Sequence, residues 1–492
     1  MKSFNLLILF NHHIGEMMSV QKKIGLFGLT AMVFGSMIGG GIFNIPQNMA
    51  AQSALGPVLI AWLITGIGML GLAFVFKILS VQRPDLSIGI YSYAKEGFGR
   101  YVGFNSAWGY WLATIAGNVA FATMLNDSLG HYFPSLLEHG IPTAILGLSL
   151  IWVYNFLVLG GIKQASLVNT ITVIIKFIAI LVIMIMMILA AHINWLDIDF
   201  WGQQQHLGSI TEQVKAPMLV TLWCFIGIEG AVVISNKAKK PADVGTATVI
   251  GFIVALVMYI IISVLPYAVQ QQQELAKLTD PSAAYVLAHL VGPWFVDFVT
   301  ISVLISVGGA WLAWTVLMSQ LPYAAATDGT FPKFFARENN KEVPSASLLM
   351  SSIFMSIFMV VAITAKNVYL ECINITSVII LPSYLLSAMF LWKDAQNKTL
   401  FQNNTSKRLQ ALGIGILATI YCCWLLYSAG LSYLLVATIL YSVGIIPFYM
   451  AGKQQGLTLK QIFPMRDAIL AITIVLLAIF AILLLVNGAV IL

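Results

Sequence analysis

Two glycine-interrupted segments carry the clearest chemical signal in this chain. The first is Gly35-Ser-Met-Ile-Gly-Gly-Gly-Ile-Phe-Asn-Ile-Pro46, and the second is Cys224-Phe-Ile-Gly-Ile-Glu-Gly230. Each of three consecutive glycines lowers helix propensity by roughly 1 kcal/mol relative to alanine, so a helix should break there. A broken helix exposes backbone N–H and carbonyl groups, and those groups can bind the charged ends of a small ligand.

The composition places these segments in a lipid bilayer. Apolar residues make up 59% of the chain and charged residues only 9%, which is typical of a polytopic membrane protein. With roughly 20 apolar residues per span, about thirteen spans are predicted. Their approximate limits are 24–48, 54–79, 101–125, 141–161, 166–191, 216–236, 243–268, 294–322, 345–364, 369–392, 409–428, 431–450 and 466–491.

The positions of the two segments predict an inverted repeat. They interrupt the first and sixth spans, which correspond in a five-plus-five repeat whose broken helices meet at the bilayer midplane. We therefore expect an all-α polytopic membrane protein with helices 1 and 6 broken. Helices 1–5 would occupy 24–191, helices 6–10 would occupy 216–392, and helices 11–13 would occupy 409–492. Residues 1–23 would precede this fold, with translation starting at Met17 or Met18.

The two breaks together predict a site for an amino acid head group. N–H groups freed at Gly39, Gly40 and Gly41 suit a carboxylate, and carbonyls freed at Ile226 and Gly227 suit an ammonium. The alternative is that these glycines only permit close helix packing.

Two ionisable residues lie inside predicted spans, where a charge is costly unless it faces a cavity or a partner. Glu229 is expected to orient the unwound segment and to act in gating, and direct contact with a cationic substrate is the alternative. Lys176 lies near the centre of the fifth span. Snorkelling to the membrane surface is unfavourable from that depth.

The charges indicate the orientation of the chain. Nearly all of the 25 lysines and arginines fall in segments that are cytoplasmic if the N-terminus is inside, as the positive-inside rule requires. The outer segments hold only Lys215, Lys277 and Lys366. The net charge of +6 therefore reflects membrane topology, and nucleic-acid binding is not expected.

No motif supports an enzyme. Gly66-Ile-Gly-Met-Leu-Gly71 matches a dinucleotide-binding pattern, but it lies inside a span, so helix packing through small residues is the better interpretation. Zinc-protease, nucleophile-elbow, Walker and CxxC patterns are missing from the sequence, and the four cysteines all fall in predicted spans. We expect no cofactor and no metal site.

Several stretches resemble the bacterial arginine/ornithine antiporters, which are basic amino acid exchangers of the amino acid–polyamine–organocation superfamily. The resemblance runs from about residue 22 to the C-terminus. The stretches are GSMIGGGIFNIPQNMA, WGYWLATIAGN, LVTLWCFIGIEGAVVISNKAKKPADVGTATVIGF and, further on, LAWTVL with AAATDGTFPKFFARENNKEVP.

This resemblance implies a secondary transporter of the bacterial inner membrane that exchanges arginine for ornithine by alternating access. Arginine and ornithine each carry one net positive charge at neutral pH, so their one-for-one exchange is electroneutral. Sodium independence is expected, and a homodimer is one assembly open to the chain. A proton-coupled amino acid symporter and an exchanger of lysine, agmatine or histidine remain alternatives.

The resemblance also implies a substrate site between spans one, three, six, eight and ten. Its expected members are Met37, Gly39, Gly40, Gly41, Tyr110, Thr114, Asn118, Trp223, Ile226, Trp314 and Ser377. Related arginine/agmatine exchangers have a serine where this chain has Gly40, so backbone donors or Ser36 must bind the substrate carboxylate here.

The implied roles divide between backbone and side chains. Carbonyls of Met37, Trp223 and Ile226 would take the α-amino group. The aromatic face of Trp314 would stack on the cationic end of the substrate, which is worth roughly 2 kcal/mol when desolvated, while Trp223 would also gate the site. Trp311 lies one turn away from Trp314 and is the competing candidate.

The remaining implied contacts are polar. The Asn118 amide would bond the guanidinium, with Thr114 and Ser377 as weaker partners. Lys176 would replace the sodium ion that sodium-coupled relatives hold between spans one, five and eight.

Overall fold

The computed structural model describes residues 25–86, 88–138, 140–161, 165–193, 197–230, 238–363, 367–398 and 400–487. Its regular elements there are helical. The α-helices are α1 (Leu26–Met37), α2 (Ile45–Ala50), α3 (Leu55–Gln82), α4 (Ile90–Phe98), α5 (Arg100–Gly130), α6 (Ile141–Leu159), α7 (Ala165–Ala190), α8 (Ile210–Lys215), α9 (Met218–Trp223), α10 (Pro241–Val264), α11 (Gln272–Leu275), α12 (Ser282–Val291), α13 (Pro293–Thr327), α14 (Ser345–Ala362), α15 (Val368–Gln396), α16 (Thr405–Val443), α17 (Ile445–Gln454), α18 (Leu459–Ile462) and α19 (Met465–Val486). Short 3-10 helices lie at Gly41–Asn44, Pro134–Leu136, Leu265–Ala268 and Lys333–Ala336.

Within these described ranges, nine helices are long and apolar enough to cross a membrane, or ten if α1 and the bent segment after it count as one span. The expected all-α polytopic fold is therefore confirmed. The N-terminal segment 1–23 and its candidate start codons lie outside the described residues.

The other predicted spans do not appear as separate apolar helices, and each case has a physical reason. Span 101–125 falls in α5, whose buried Asn118 and Asn126 interrupt its apolar sequence. Span 216–236 leaves the helical conformation after α9 and runs into residues 231–237, outside the description. Spans 409–428 and 431–450 join in one continuous stretch, and Gly430 marks the kink between them with φ 79° and ψ 166°.

Helix α5 lies at the centre of the bundle. Nearly all of its residues are buried, and it packs along α13, α15 and α4. Helix α1 packs against α10 and α7. The centre of the protein is therefore the place where α1, α5, α7, α10 and α13 approach one another.

The glycines of the dinucleotide-like pattern serve helix packing, as the sequence predicts. A Cβ at Gly68 would lie 2.1 Å from the ring of Tyr421, and a Cβ at Gly71 would lie 3.6 Å from Ala418. Both contacts join α3 to α16. Gly66 faces Leu256 of α10 at 3.2 Å.

Replacing Gly68 by alanine should destabilise the protein. The added methyl group has no room beside Tyr421, and overpacking of this kind costs about 1–3 kcal/mol. We expect a lower melting temperature in detergent, measured by intrinsic fluorescence. Gly413→Ala in α16 is the control, because nothing lies within 4 Å of its added Cβ. Equal melting temperatures for the two variants would show that α3 and α16 are not packed this closely.

Candidate substrate-binding site

The first helix breaks at the glycine triplet. Helix α1 ends at Met37, and the chain resumes as a 3-10 helix at Gly41, with a bend of 42°. The dihedral angles of Ile38, φ −86° and ψ 90°, are extended and no longer helical. The break predicted from the sequence is therefore present at the predicted residues.

Side chains from other helices bond the backbone of this break. Tyr259 donates to the Met37 carbonyl at 3.0 Å, and Ser306 donates to the Gly39 carbonyl at 3.1 Å. Inside a membrane an unpaired carbonyl costs free energy, because no bulk water can replace the lost helical partner. These donors stabilise the non-helical conformation.

Lys176 is the charged member of this set. Its side chain is only 1% exposed, and its ammonium donates to the carbonyls of Gly35 at 2.8 Å and Ile38 at 2.5 Å. A cation beside carbonyl oxygens resembles the coordination of a metal ion by backbone groups. The Lys176 side chain therefore bonds two backbone carbonyls at the end of α1.

The second break follows α9 and touches the first. Residues 224–229 form turns, and Gly227 has φ 106°, a left-handed conformation that favours glycine. Ser36 donates to the Gly227 carbonyl at 2.9 Å. A Cβ at Gly227 would lie 3.0 Å from Ser36, so the last turn of α1 is in direct contact with the second break.

Glu229 is held by three hydrogen bonds. Tyr110 donates to its Oε1 at 2.7 Å, and Tyr384 donates to its Oε2 at 2.8 Å. The Gly227 N–H also donates to Oε2 at 3.2 Å. The carboxylate is 1% exposed and thus links α5 and α15 to the second break, an arrangement that orients the unwound segment.

A small cavity of about 10 Å³ lies where the two breaks meet. This volume holds roughly one water molecule. Its lining residues are Ser36, Met37, Gly39, Gly41, Phe121, Trp223, Ile226, Tyr259 and Trp314. Six of the eleven predicted substrate-site residues therefore line one cavity, and Glu229 and Lys176 support its walls.

Three aromatic rings close this cavity. The ring centroids of Phe121 and Trp314 are 5.4 Å apart, those of Trp223 and Trp314 are 5.7 Å apart, and those of Phe121 and Trp223 are 5.8 Å apart. Trp314 also donates to the Ser36 carbonyl at 3.4 Å. We call Phe121, Trp223 and Trp314 the aromatic cage. Rings arranged in this way can bind an organic cation between their faces once they separate.

Trp311 lies elsewhere. It is fully buried and stacks on Tyr154 with centroids 4.5 Å apart. The structure therefore distinguishes the two tryptophans of α13, since only Trp314 reaches the cavity.

Other predicted residues lie near the cavity without lining it. A Cβ at Gly40 would lie 2.3 Å from the Met124 sulfur, so this glycine faces α5. The Thr114 hydroxyl donates to Trp111 O, and the Ser377 hydroxyl donates to Leu219 O. Neither hydroxyl is directed at the cavity.

The side-chain oxygen of Asn118 is a hydrogen-bond acceptor without a partner in the described part of the chain. Its Nδ2 donates to Thr114 O at 2.8 Å and to the Met318 sulfur at 3.5 Å. Its Oδ1 is buried and has no hydrogen-bond partner among the described residues. The next residue on this face, Phe121, lies one turn further along α5.

Sequence reasoning missed Phe121, Tyr259 and Tyr384. The spacing from Asn118 could have indicated Phe121, because residues three apart share a helix face. The two tyrosines carry polar hydroxyls inside apolar helices, and a buried tyrosine hydroxyl usually has a partner. That partner cannot be named from the sequence.

A second polar network joins helix ends at one end of the molecule, which we call the basic end and define by Arg83, Lys95 and Arg100. Asp328 accepts hydrogen bonds from Tyr91 and from Lys95, the latter at 2.5 Å. Arg100 donates to Gly329 O at 2.8 Å. These contacts tie α4 and α5 to the end of α13.

A second ion cluster reinforces the basic end. Arg83 pairs with Asp394 at 3.0 Å, with Asp85 at 2.9 Å and with Glu96 at 3.3 Å. The cluster connects the end of α3 to α4 and α15. Ion pairs therefore hold the helices together at the basic end, whereas aromatic rings close the central cavity.

Asp328→Asn should loosen the basic end. Burial raises the pKa of Asp328, but hydrogen bonds from Lys95 and Tyr91 outweigh burial and hold this pKa below its ordinary value. The ion pair is thus fully formed above that ordinary value and is lost only as pH falls through the lowered pKa. In hydrogen–deuterium exchange, we expect wild-type protection of α4 to be the same at pH 8 and pH 5.

The variant should lower that protection about fivefold, because a partly exposed pair contributes up to about 1 kcal/mol. Glu96→Gln is the comparison on α4: its carboxylate is 53% exposed and 3.3 Å from Arg83, which keeps Asp85 and Asp394 as partners, so we expect a smaller loss of protection. Unchanged exchange in Asp328→Asn, or a loss of wild-type protection between pH 8 and pH 5, would contradict this assignment.

Comparison with known proteins identifies the family. The amino acid permease family matches residues 24–445. An arginine/agmatine antiporter of Chlamydia caviae is 45% identical over 469 residues, which cover 94% of this chain and 96% of the relative. Proteins of the same name from Chlamydia pneumoniae and Chlamydia trachomatis serovar L2 are 43% and 46% identical, over 95% and 92% of this chain and 98% and 95% of the relatives.

The match to the family covers both broken helices, the aromatic cage and the basic end, together with most of the apolar helices that are long enough to span the membrane in the described part of the chain. Family and fold agree on a multi-pass transporter rather than an enzyme. The chain belongs to the amino acid permease family.

Proposed function

We propose that this chain is an antiporter that exchanges arginine for agmatine, by opening one central site to either side of the membrane in turn. The observation that carries the proposal is the aromatic cage, which lies directly beside two unwound helices. The names of the relatives from Chlamydia species support this pair of substrates.

The cage favours a guanidinium ligand. A guanidinium is planar and stacks on aromatic faces, and it is more weakly hydrated than an ammonium. Arginine and agmatine share this group, whereas ornithine ends in an ammonium. In the proposal the guanidinium enters between Trp223 and Trp314, and Phe121 covers its edge. The cavity of about 10 Å³ must widen for this, so binding separates the three rings.

Asn118 completes the proposed cation site. Its free Oδ1 can accept a hydrogen bond from the guanidinium, which has only donors. Thr114 and Ser377 already bond backbone carbonyls of their own surroundings, so in this proposal they hold α5 and α15 in place. Tyr110 acts through Glu229.

The other end of the substrate meets backbone groups. Met37, Gly39, Gly41 and Ile226 line the cavity, and in the proposal their N–H and carbonyl groups bind the carboxylate and amino groups of arginine. A Cβ at Gly40 would lie 2.3 Å from Met124 and 2.4 Å from Val307, so a side chain there would require these residues to move. In the proposal a substrate carboxylate beside Gly40 is therefore bound by backbone N–H groups.

Glu229 and Lys176 would couple this site to movement. Glu229 joins the second break to Tyr110 and Tyr384, so a shift of the unwound segment changes its contacts with α5 and α15. Lys176 supplies a fixed cation at the first break, which makes transport independent of sodium. We place the protein in the bacterial inner membrane with its N-terminus and basic end in the cytoplasm, because lysines and arginines concentrate on that side.

The exchange of arginine for agmatine moves charge. At neutral pH arginine carries one net positive charge and agmatine carries two. The exchange of arginine for agmatine is therefore electrogenic, whereas the exchange of arginine for ornithine is electroneutral. The sequence stretches that resemble arginine/ornithine antiporters make ornithine the second candidate, and membrane potential distinguishes the two.

The test is uptake of radiolabelled arginine into proteoliposomes loaded with agmatine, ornithine or nothing. We expect uptake into agmatine-loaded vesicles, with a faster rate at inside-positive potential because one net positive charge leaves per cycle. Equal uptake into empty vesicles would indicate a symporter. Uptake that requires internal ornithine and does not depend on membrane potential would show that ornithine, and not agmatine, is the exchanged substrate.

Trp314→Ala should weaken arginine binding in the same protein. Loss of a desolvated cation–π contact costs about 2 kcal/mol, or roughly a 30-fold rise in Kd. Trp294→Ala is the matched control, since Trp294 lies on the same helix and is 54% exposed. Binding is measured by scintillation proximity with radiolabelled arginine. Equal arginine affinities for the two variants would show that Trp314 does not contact the substrate.

A further inference from the structure

Two carboxylates lie on the side of the aromatic cage opposite to the basic end. Asp127 is buried, 7% exposed, and stands near the end of α5. On that helix it follows Phe121 of the cage by about 9 Å along the axis, and Arg100 of the basic end by about 40 Å. Asp280, in the loop before α12, interacts electrostatically with Asp127. The two aspartates therefore form an acidic pair just beyond the cage.

The loop that carries Asp280 rests on the first break. Helix α12 packs against the 3-10 helix Gly41–Asn44 and against α2. Ser282, the first residue of α12, donates to the Phe43 carbonyl at 3.4 Å. Asp280 lies two residues before this contact, so the backbone holds its carboxylate beside the second half of the broken helix.

Tyr369 links the acidic pair to the central cavity. A Cβ at Gly41 would lie 2.7 Å from Trp223 Nε1 and 3.2 Å from the Tyr369 hydroxyl. Gly41 and Trp223 both line the cavity, so Tyr369 lies directly behind the cavity wall. Tyr369 also interacts electrostatically with Asp280. A polar path therefore leads from the cavity wall through this hydroxyl to the two carboxylates.

Two buried polar atoms on this path lack a hydrogen-bond partner in the described part of the chain. They are the hydroxyl oxygen of Tyr369, whose side chain is 1% exposed, and Oδ1 of Asp280. Burial raises the pKa of Asp280 to about 7, because water no longer stabilises its charge. The nearby carboxylate of Asp127 adds like-charge repulsion. A bound cation would offset both costs and would use both free acceptors.

We propose that Asp127, Asp280 and Tyr369 form a second site for an organic cation, which we call the outer site, and that it binds agmatine in preference to arginine. This second site rests on the proposed exchange function and adds a place where substrate is held beside the cage. Agmatine carries two positive charges and no carboxylate, and its ammonium group can donate to Asp280 and Tyr369. Arginine brings a carboxylate, which the two aspartates repel.

Equilibrium dialysis of the purified full chain against radiolabelled agmatine at pH 8 counts the sites. We expect two agmatine molecules per wild-type chain, one in the cage and one in the outer site. Asp127→Asn combined with Asp280→Asn should leave one, because the outer site loses both charges while the cage is intact. Glu138→Gln is the control and should bind two, since it removes an exposed carboxylate from the segment that follows α5. Melting temperature in detergent verifies that each variant is folded.

Trp314→Ala separates the two sites. At agmatine concentrations too low to fill the weakened cage, this variant should retain one bound molecule, and arginine should displace it at least tenfold less effectively than unlabelled agmatine. In the same background, Asp280→Glu keeps the charge and should retain binding, whereas Asp280→Asn should lose it. Tyr369→Phe should weaken binding about threefold to tenfold, as expected for one hydrogen bond.

Two results would overturn the outer site. A wild type that binds one agmatine, with no change in the aspartate variants, would leave the cage as the site of binding and the exchange function intact. Equal displacement by arginine and agmatine in Trp314→Ala would remove the charge selectivity. Failure of the exchange function has a different signature, because uptake into proteoliposomes would be absent while Trp314→Ala still bound one agmatine.

Discussion

The structure depends on the pairing of backbone groups that two membrane helices leave unbonded where they unwind. In hydrocarbon a helix satisfies its own N–H and carbonyl groups, and an interruption is tolerated only when other groups replace those bonds. Here the replacements come from Lys176, Tyr259, Ser306 and Trp314 at the first break. Helices α7, α10 and α13 are thereby fixed around α1, and the cavity lies at their meeting point.

Hydrogen bonds also connect the two breaks to each other and to the surrounding helices, so a movement of one helix affects the site. Ser36 in the last turn of α1 bonds Gly227 at the second break, so a shift of α1 changes the contacts of that break. Glu229 extends this connection to α5 and α15 through two tyrosines. The aromatic cage closes the cavity at the centre, while ion pairs hold helix ends together at the basic end.

Local sequence was sufficient to predict the features that depend on single residues. The glycine triplet, Gly227 and the buried Lys176 stand out against apolar sequence, and the resemblance to basic amino acid exchangers indicated Trp314. Features that depend on helix packing could not be predicted. Trp311 and Trp314 lie one turn apart on α13. Only the packing of Trp311 on Tyr154 distinguishes the surroundings of the two tryptophans. Likewise, Gly40 is explained by Met124, which lies far away in sequence. Polar residues in the buried α5 weakened the apolar signal of the helix that forms the centre of the bundle.

We propose that Lys176 holds the first break in its binding conformation by donating hydrogen bonds to the Gly35 and Ile38 carbonyls. The most direct measurement is the Kd of arginine for purified wild type and Lys176→Met, each in sodium chloride and in choline chloride. Methionine has a similar length but no donor for the Gly35 and Ile38 carbonyls, and melting temperature verifies folding. We predict a wild-type Kd that is the same in both salts and a Kd at least tenfold higher in the variant. A wild type that requires sodium, or a folded variant that binds arginine as tightly as the wild type, would contradict it.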